Sequence, residues 1–112
     1  MKRSIFLALA AIVGAAAPAR ADEAREAAGR KLALEVCVNC HVVPGGPAPV
    51  LTPPAMSFVE ITAKPDRSAA SLTRFLAEPH GETRRASLMP PFLLPPSQVE
   101  AVVAYLLSLN PK

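Results

Sequence analysis

The chain has 112 residues, 51% apolar and only 4% aromatic, with two cysteines, thirteen prolines and a formal net charge of +3. A chain this short supports one small domain with a thin core, and it excludes multidomain enzymes and doubly wound nucleotide-binding folds, which need more residues. The positive balance points to an acidic partner only if the residues that carry it stay in the working protein.

Residues 1–21 have the three parts of a cleaved export signal. Lys2 and Arg3 precede an apolar run from Ile5 to Ala17, and Ala19-Arg20-Ala21 puts small residues at the two positions a signal peptidase reads. The run is shorter than the roughly 20 apolar residues that span a bilayer, which disfavours an uncleaved anchor. Cleavage after Ala21 leaves residues 22–112 and removes Lys2, Arg3 and Arg20, so nine Lys and Arg face nine Asp and Glu and the formal charge becomes zero. No later stretch is long and apolar enough to cross a membrane. The expected product is exported, soluble and periplasmic.

The elements follow in chain order. Glu23 to Val36 has no proline and is rich in Ala, Leu, Arg and Glu, so it predicts a helix running into Cys37. Gly29 is its one weak position and marks a close helix crossing. Pro44 to Pro54 holds five prolines and two glycines, which rules out a regular helix or a central strand and predicts an ordered loop. Ser57 to Ala63 predicts a short helix. Residues 67–78 predict a further helix, capped by Asp66 or Ser68, with Ala69, Leu72, Phe75 and Leu76 on one face and Pro79 as its stop.

The last helix carries the clearest pattern. Ser97 and Glu100 form S-x-x-E after Pro95-Pro96, the signature of a capping box. Val99, Val102, Val103, Leu106 and Leu109 follow at helical spacing, and Asn110-Pro111 is a stop. No segment alternates as a strand does. The fold class expected is all-α, with a proline-rich loop among the helices.

Cys37-Val38-Asn39-Cys40-His41 is C-x-x-C-H, the attachment signal for c-type haem. Two thiols three positions apart reach the two vinyl groups of one haem as thioethers, and His41 then faces the iron from the same side. Other uses of the cysteines fit less well. A thioredoxin-like pair needs a βαβ setting. A structural disulfide suits an exported protein but leaves the adjacent histidine unexplained. Structural zinc wants four ligands, and only Cys37, Cys40, His41 and His80 are present.

Here the chain resembles the small class I, monohaem bacterial c-type cytochromes. Three features carry the resemblance across the mature chain: C-x-x-C-H, Gly29 eight residues before Cys37, and Met89-Pro90 ahead of a final helix bearing Tyr105-Leu106. The resemblance implies crossed first and last helices around one covalently bound haem c. It implies His41 as proximal iron ligand and a methionine sulfur as distal ligand. Met89 is the match, and a soft neutral thioether suits a high-potential haem iron. Met56 and His80 are the competing distal ligands. The family also uses a proline carbonyl to accept the hydrogen bond of the iron-bound imidazole. Pro47, Pro49, Pro53 and Pro54 are the candidates, because the family's usual Gly-Pro-x-Leu spacing is not kept after His41. Phe58 packs on the haem or in the core, and Tyr105, Leu106, Leu32 and Ala33 join the two crossed helices.

A His/Met-ligated haem has no open iron position, so the expected function is not enzymatic. It is single-electron transfer between a protein donor and a protein acceptor. The alternatives are a haem subunit of a fixed periplasmic oxidoreductase complex, or a catalytic or gas-binding cytochrome with a labile distal ligand. No nucleophile pair, paired carboxylate or phosphate loop suggests a second activity, and no basic stripe suggests nucleic acid. Lys64, Arg67, Arg74, Arg84 and Arg85 against Asp66, Glu78 and Glu82 form a mild basic excess that could steer an acidic partner, set against the plainer reading of a mixed solvated surface.

Overall fold

The computed structural model describes Gly14 and residues 18–78, 89–90 and 92–110. These residues form four α-helices: α1 (Pro18–Glu35), α2 (Phe58–Ala63), α3 (Ala69–Ala77) and α4 (Pro96–Ser108), with a 3-10 turn at Cys37–Asn39. Among the described residues there is no strand, only an isolated parallel bridge between His41 and Ala55. The all-α expectation holds. The hydrophobic part of the expected export signal, His80, Glu82, Arg84 and Arg85 lie outside the described residues.

Helix α1 begins at Pro18, ahead of the expected start at Glu23, and runs through Ala21-Asp22. The buried residues of α1 are Gly29 and Ala33, one turn apart on one face. That face meets α4, where a Cβ added at Gly29 would overlap the carbonyl group of Ala101 and stand 2.9 Å from Cβ of Tyr105. Only a glycine lets the two backbones approach so closely, which places the helix crossing where the sequence indicated.

Helix α4 buries Val99, Ala101, Val102, Val103, Tyr105 and Leu106 and is the spine of the core. Its start corrects the sequence reading. Pro95 is the N-cap and no side chain caps the helix, so the Ser97–Glu100 capping box does not form. Pro96 sets the helical φ one residue early, which moves Ser97 inside the first turn. The Pro95 carbonyl instead accepts from the N–H groups of Gln98 (2.9 Å) and Val99 (3.1 Å).

Two capping boxes do form, on shorter helices. Ser57 Oγ accepts from Glu60 N (3.2 Å) while Glu60 Oε2 accepts from Ser57 N (2.9 Å) and Ser57 Oγ (2.7 Å). These bonds hold the Glu60 carboxyl below its usual range. Ser68, rather than Asp66, caps α3, in a reciprocal pair with Ser71. Within α3 only Leu72 is buried, while Leu76 is half-buried and Ala69 and Phe75 are exposed. Helix α3 thus turns a narrow i, i+4 stripe to the core, and Phe75 lies on its flank rather than on the expected inner face.

Asn110, expected as a stop, also ties the chain end to α2: its Nδ2 donates to the Thr62 carbonyl at 2.8 Å, across 48 residues. Asn110→Ala leaves that carbonyl without the bond and is expected to cost about 1 kcal/mol, read by thermal denaturation of the holoprotein.

Candidate functional site

The segment that carries the chemistry leaves α1 as a tight turn. Cys37 O accepts from both Cys40 N (3.1 Å) and His41 N (2.9 Å), which folds the five-residue motif back on itself. Asn39 Nδ2 donates to Val36 O at 3.0 Å and ties the turn to the end of α1. The next reversal is Val43-Pro44-Gly45-Gly46. Gly46 N donates to Val43 O (2.9 Å) and Gly45 has φ +75°. This is a type II turn, with proline at its second position and glycine at the third, which needs positive φ.

The proline-rich loop is then clamped beside the motif. Asn39 O accepts from Val50 N and Leu51 N, both at 3.1 Å; Cys40 O accepts from Ala55 N (2.8 Å); Val42 O accepts from Phe58 N (3.0 Å). Residues 50–58 therefore lie alongside residues 39–42 and frame His41. Within that frame His41 Nδ1–H donates to the Met56 carbonyl at 2.5 Å. A carbonyl can only accept, so the bond sets the tautomer and leaves Nε2 with a free lone pair, ready for a metal.

This carbonyl corrects the sequence reading, which looked to Pro47, Pro49, Pro53 or Pro54. The sequence does carry a signal for it. Met56 directly precedes the Ser57 cap of α2, where the chain is still extended and its carbonyls are outside the helix. The same geometry engages the backbone of Met56 at His41 Nδ1, and its side chain is 40% exposed. Phe58 is buried. Its ring meets His41 edge-on at 5.7 Å and Tyr105 at 6.1 Å, so it joins the site to the α1–α4 crossing.

Cys37 and Cys40 are unpaired and half-buried. Burial pushes the Cys37 thiol up to about 11, with a backbone hydrogen bond opposing the rise and the neighbouring Cys40 adding to it. A thiol protonated at neutral pH is a poor nucleophile for disulfide exchange, which argues against a thioredoxin-like role. No group of three or more His, Cys, Asp or Glu side chains comes together to hold a metal ion among the described residues. Met89 is half-buried in a bend before Pro90, on the approach to α4.

Around the motif the chain leaves apolar side chains uncovered. Val42, Val50, Leu51 and Met56, in or beside the loop that frames His41, are 40–83% exposed. Two free thiols, an oriented imidazole with one nitrogen available and an uncovered apolar rim together suit a flat apolar cofactor with two reactive side groups and a central metal. The residues fit haem c.

Comparison with known proteins agrees. A family model described as Cytochrome c matches residues 26–110. The chain is 34% identical over 109 residues to cytochrome c-552 of Bradyrhizobium diazoefficiens, a match that covers 97% of this chain and 95% of that protein. No solved structure matches significantly.

Proposed function

This chain belongs to the cytochrome c family, which implies one covalently bound haem c, and we propose that it is a periplasmic carrier of single electrons between two protein partners. In this reading residues 1–21 direct export and are removed. No helix among the described residues is long and apolar enough to cross a membrane.

When bound, haem c supplies a ferric–ferrous couple that exchanges one electron. Cys37 and Cys40 hold it through two thioethers. His41 is the proximal iron ligand, presented through Nε2. Its Nδ1–H bond to the Met56 carbonyl fixes the ring and raises its basicity. Met89 is the distal ligand. Its thioether is neutral and favours the less charged ferrous state, which raises the reduction potential. With His41 and Met89 both holding the iron, the bound group would exchange electrons and would not bind a substrate. Phe58, buried and edge-on to the His41 ring, would flank the imidazole on the proximal side.

The observation that carries this reading is the His41 Nδ1–Met56 carbonyl bond beside two unpaired thiols. It also separates the two methionines. Met56 acts through its backbone, which any side chain retains. Met89→Ala is therefore expected to abolish the methionine-to-ferric-iron charge-transfer band, while Met56→Ala keeps it. Optical spectra of the oxidised exported proteins check this. A band that survives in Met89→Ala would overturn the assignment, and rapid CO binding by the ferrous wild-type protein would favour a labile distal site.

A further inference from the structure

The peptide group between Met56 and Ser57 is bonded at both ends. Its oxygen accepts from His41 Nδ1–H at 2.5 Å. Its N–H donates to Glu60 Oε2 at 2.9 Å. One amide therefore joins the proximal imidazole to a carboxylate. The neighbouring peptides hold that amide in place: Ala55 N donates to Cys40 O (2.8 Å) and Phe58 N donates to Val42 O (3.0 Å). The carboxylate is held too. Ser57 Oγ donates to the same Oε2 at 2.7 Å and accepts from Glu60 N at 3.2 Å.

A capping box accounts for the Ser57–Glu60 pair as a helix start, but glutamine serves there as well as glutamate. The cap does not need the charge. The imidazole responds to it. Hydrogen bonds in a chain polarise one another, and bonds to an ionised acceptor are about twice as strong as neutral ones. An amide that donates to a carboxylate carries more negative charge on its oxygen and is the stronger acceptor for Nδ1–H. The bonds from Ser57 hold the Glu60 carboxyl below its usual range, so the chain ends on a charge at neutral pH. Among the described residues neither ion pair involves Glu60. Glu60 is exposed, so water screens its field through space, while the bonded path persists.

We propose that Glu60 is a positioning residue for electron transfer: through the Met56–Ser57 peptide its carboxylate strengthens the His41 Nδ1–H bond and lowers the reduction potential of the bound haem. The proposal rests on the haem-binding reading above. A more basic imidazole favours the more charged ferric iron, so Glu60 acts against the Met89 thioether, which favours the ferrous state.

The test is the reduction potential of the holoprotein. Glu60→Gln keeps the cap and removes the charge. A chain strengthens each of its bonds by about 10–30%, so the ferric-to-ferrous ratio at a fixed ambient potential is expected to fall about two- to threefold. An unchanged or higher ratio overturns the proposal. Ser57→Pro separates the peptide path from a field through space. Ser57 has φ −64° and ψ 156°, and Pro95 caps α4 at φ −57° and ψ 151°, so proline suits the position. The change removes the amide hydrogen and keeps Glu60. Ser57→Pro should lower the ratio as Glu60→Gln does, and adding Glu60→Gln to it should change little more. No fall in Ser57→Pro, or a full further fall in the double variant, overturns the proposal. If Ser57→Pro does not load haem, the ferrous Glu60→Gln protein decides through the His41 Nδ1–H proton resonance. That resonance should lie upfield of its wild-type position, as a weaker hydrogen bond requires, and an unmoved resonance overturns the proposal. Loss of thioether haem or of the methionine band in the wild type would instead reject the underlying haem assignment.

Discussion

Replacing both motif cysteines, Cys37→Ala with Cys40→Ala, is expected to yield a chain that holds no haem covalently and has lost its cooperative thermal transition. The reason lies in how little core the polypeptide makes alone. Among the described residues the largest side chains that are fully buried are Val43 and Val102. Phe58, Tyr105 and Leu106 are buried against α4, but Val42, Val50, Leu51, Met56 and Val59 remain 40–83% exposed. Each 100 Å² of such surface covered by a porphyrin contributes about 2.5 kcal/mol, against a total stability of about 5–15 kcal/mol for a small domain. A domain of this length needs an added staple, and the haem is that staple. Far-UV circular dichroism during heating, with a haem stain of the denatured protein, reads both outcomes. A sigmoidal transition in the double variant near the wild-type midpoint would show that the polypeptide core suffices.

Much of this was legible in residues whose signal is local. The stop at Asn110, the short helix after Ser57, the loop over Pro44 to Pro54 and the glycine at the crossing all follow from backbone preferences that neighbours cannot easily override. The motif at Cys37–His41 was legible for the same reason, since its spacing is set within one turn. Of the readings that failed, one was overridden by an adjacent residue and the others depended on distant parts of the chain. Ser97 and Glu100 have the capping pattern, but Pro96 starts the helix ahead of them. Phe75 fits the apolar stripe of α3, yet α4 covers only the Leu72–Leu76 side. The acceptor for His41 is set by how residues 50–58 lie against residues 39–42, so a proline count could not identify the Met56 carbonyl. Arg67 counts as one more surface charge until the fold turns its Nε away from water.

Gly29→Ala is expected to destabilise the holoprotein by about 3 kcal/mol, at the upper end of what overpacking costs. At an exposed helix position the same change would stabilise by about 1 kcal/mol, because glycine is the poorer helix former. Here the added methyl meets the Ala101 carbonyl and Tyr105 Cβ. These are backbone and the root of a side chain, not a flexible tip, so α1 and α4 must separate. A loss of this size lowers Tm by about 12–24 °C for a domain near 90 residues. The displacement should also reach the site, because Tyr105 packs on Phe58 and Phe58 on His41. A changed haem spectrum is therefore expected with the lower Tm. The neighbouring Ala28 is exposed and supplies the control: Ala28→Gly should cost only about 1 kcal/mol, through helix propensity alone, with the spectrum unchanged. Adding a methyl at 29 and removing one at 28 would then both destabilise, by different mechanisms. A Gly29→Ala protein as stable as wild type would mean that the two helices do not cross at this residue.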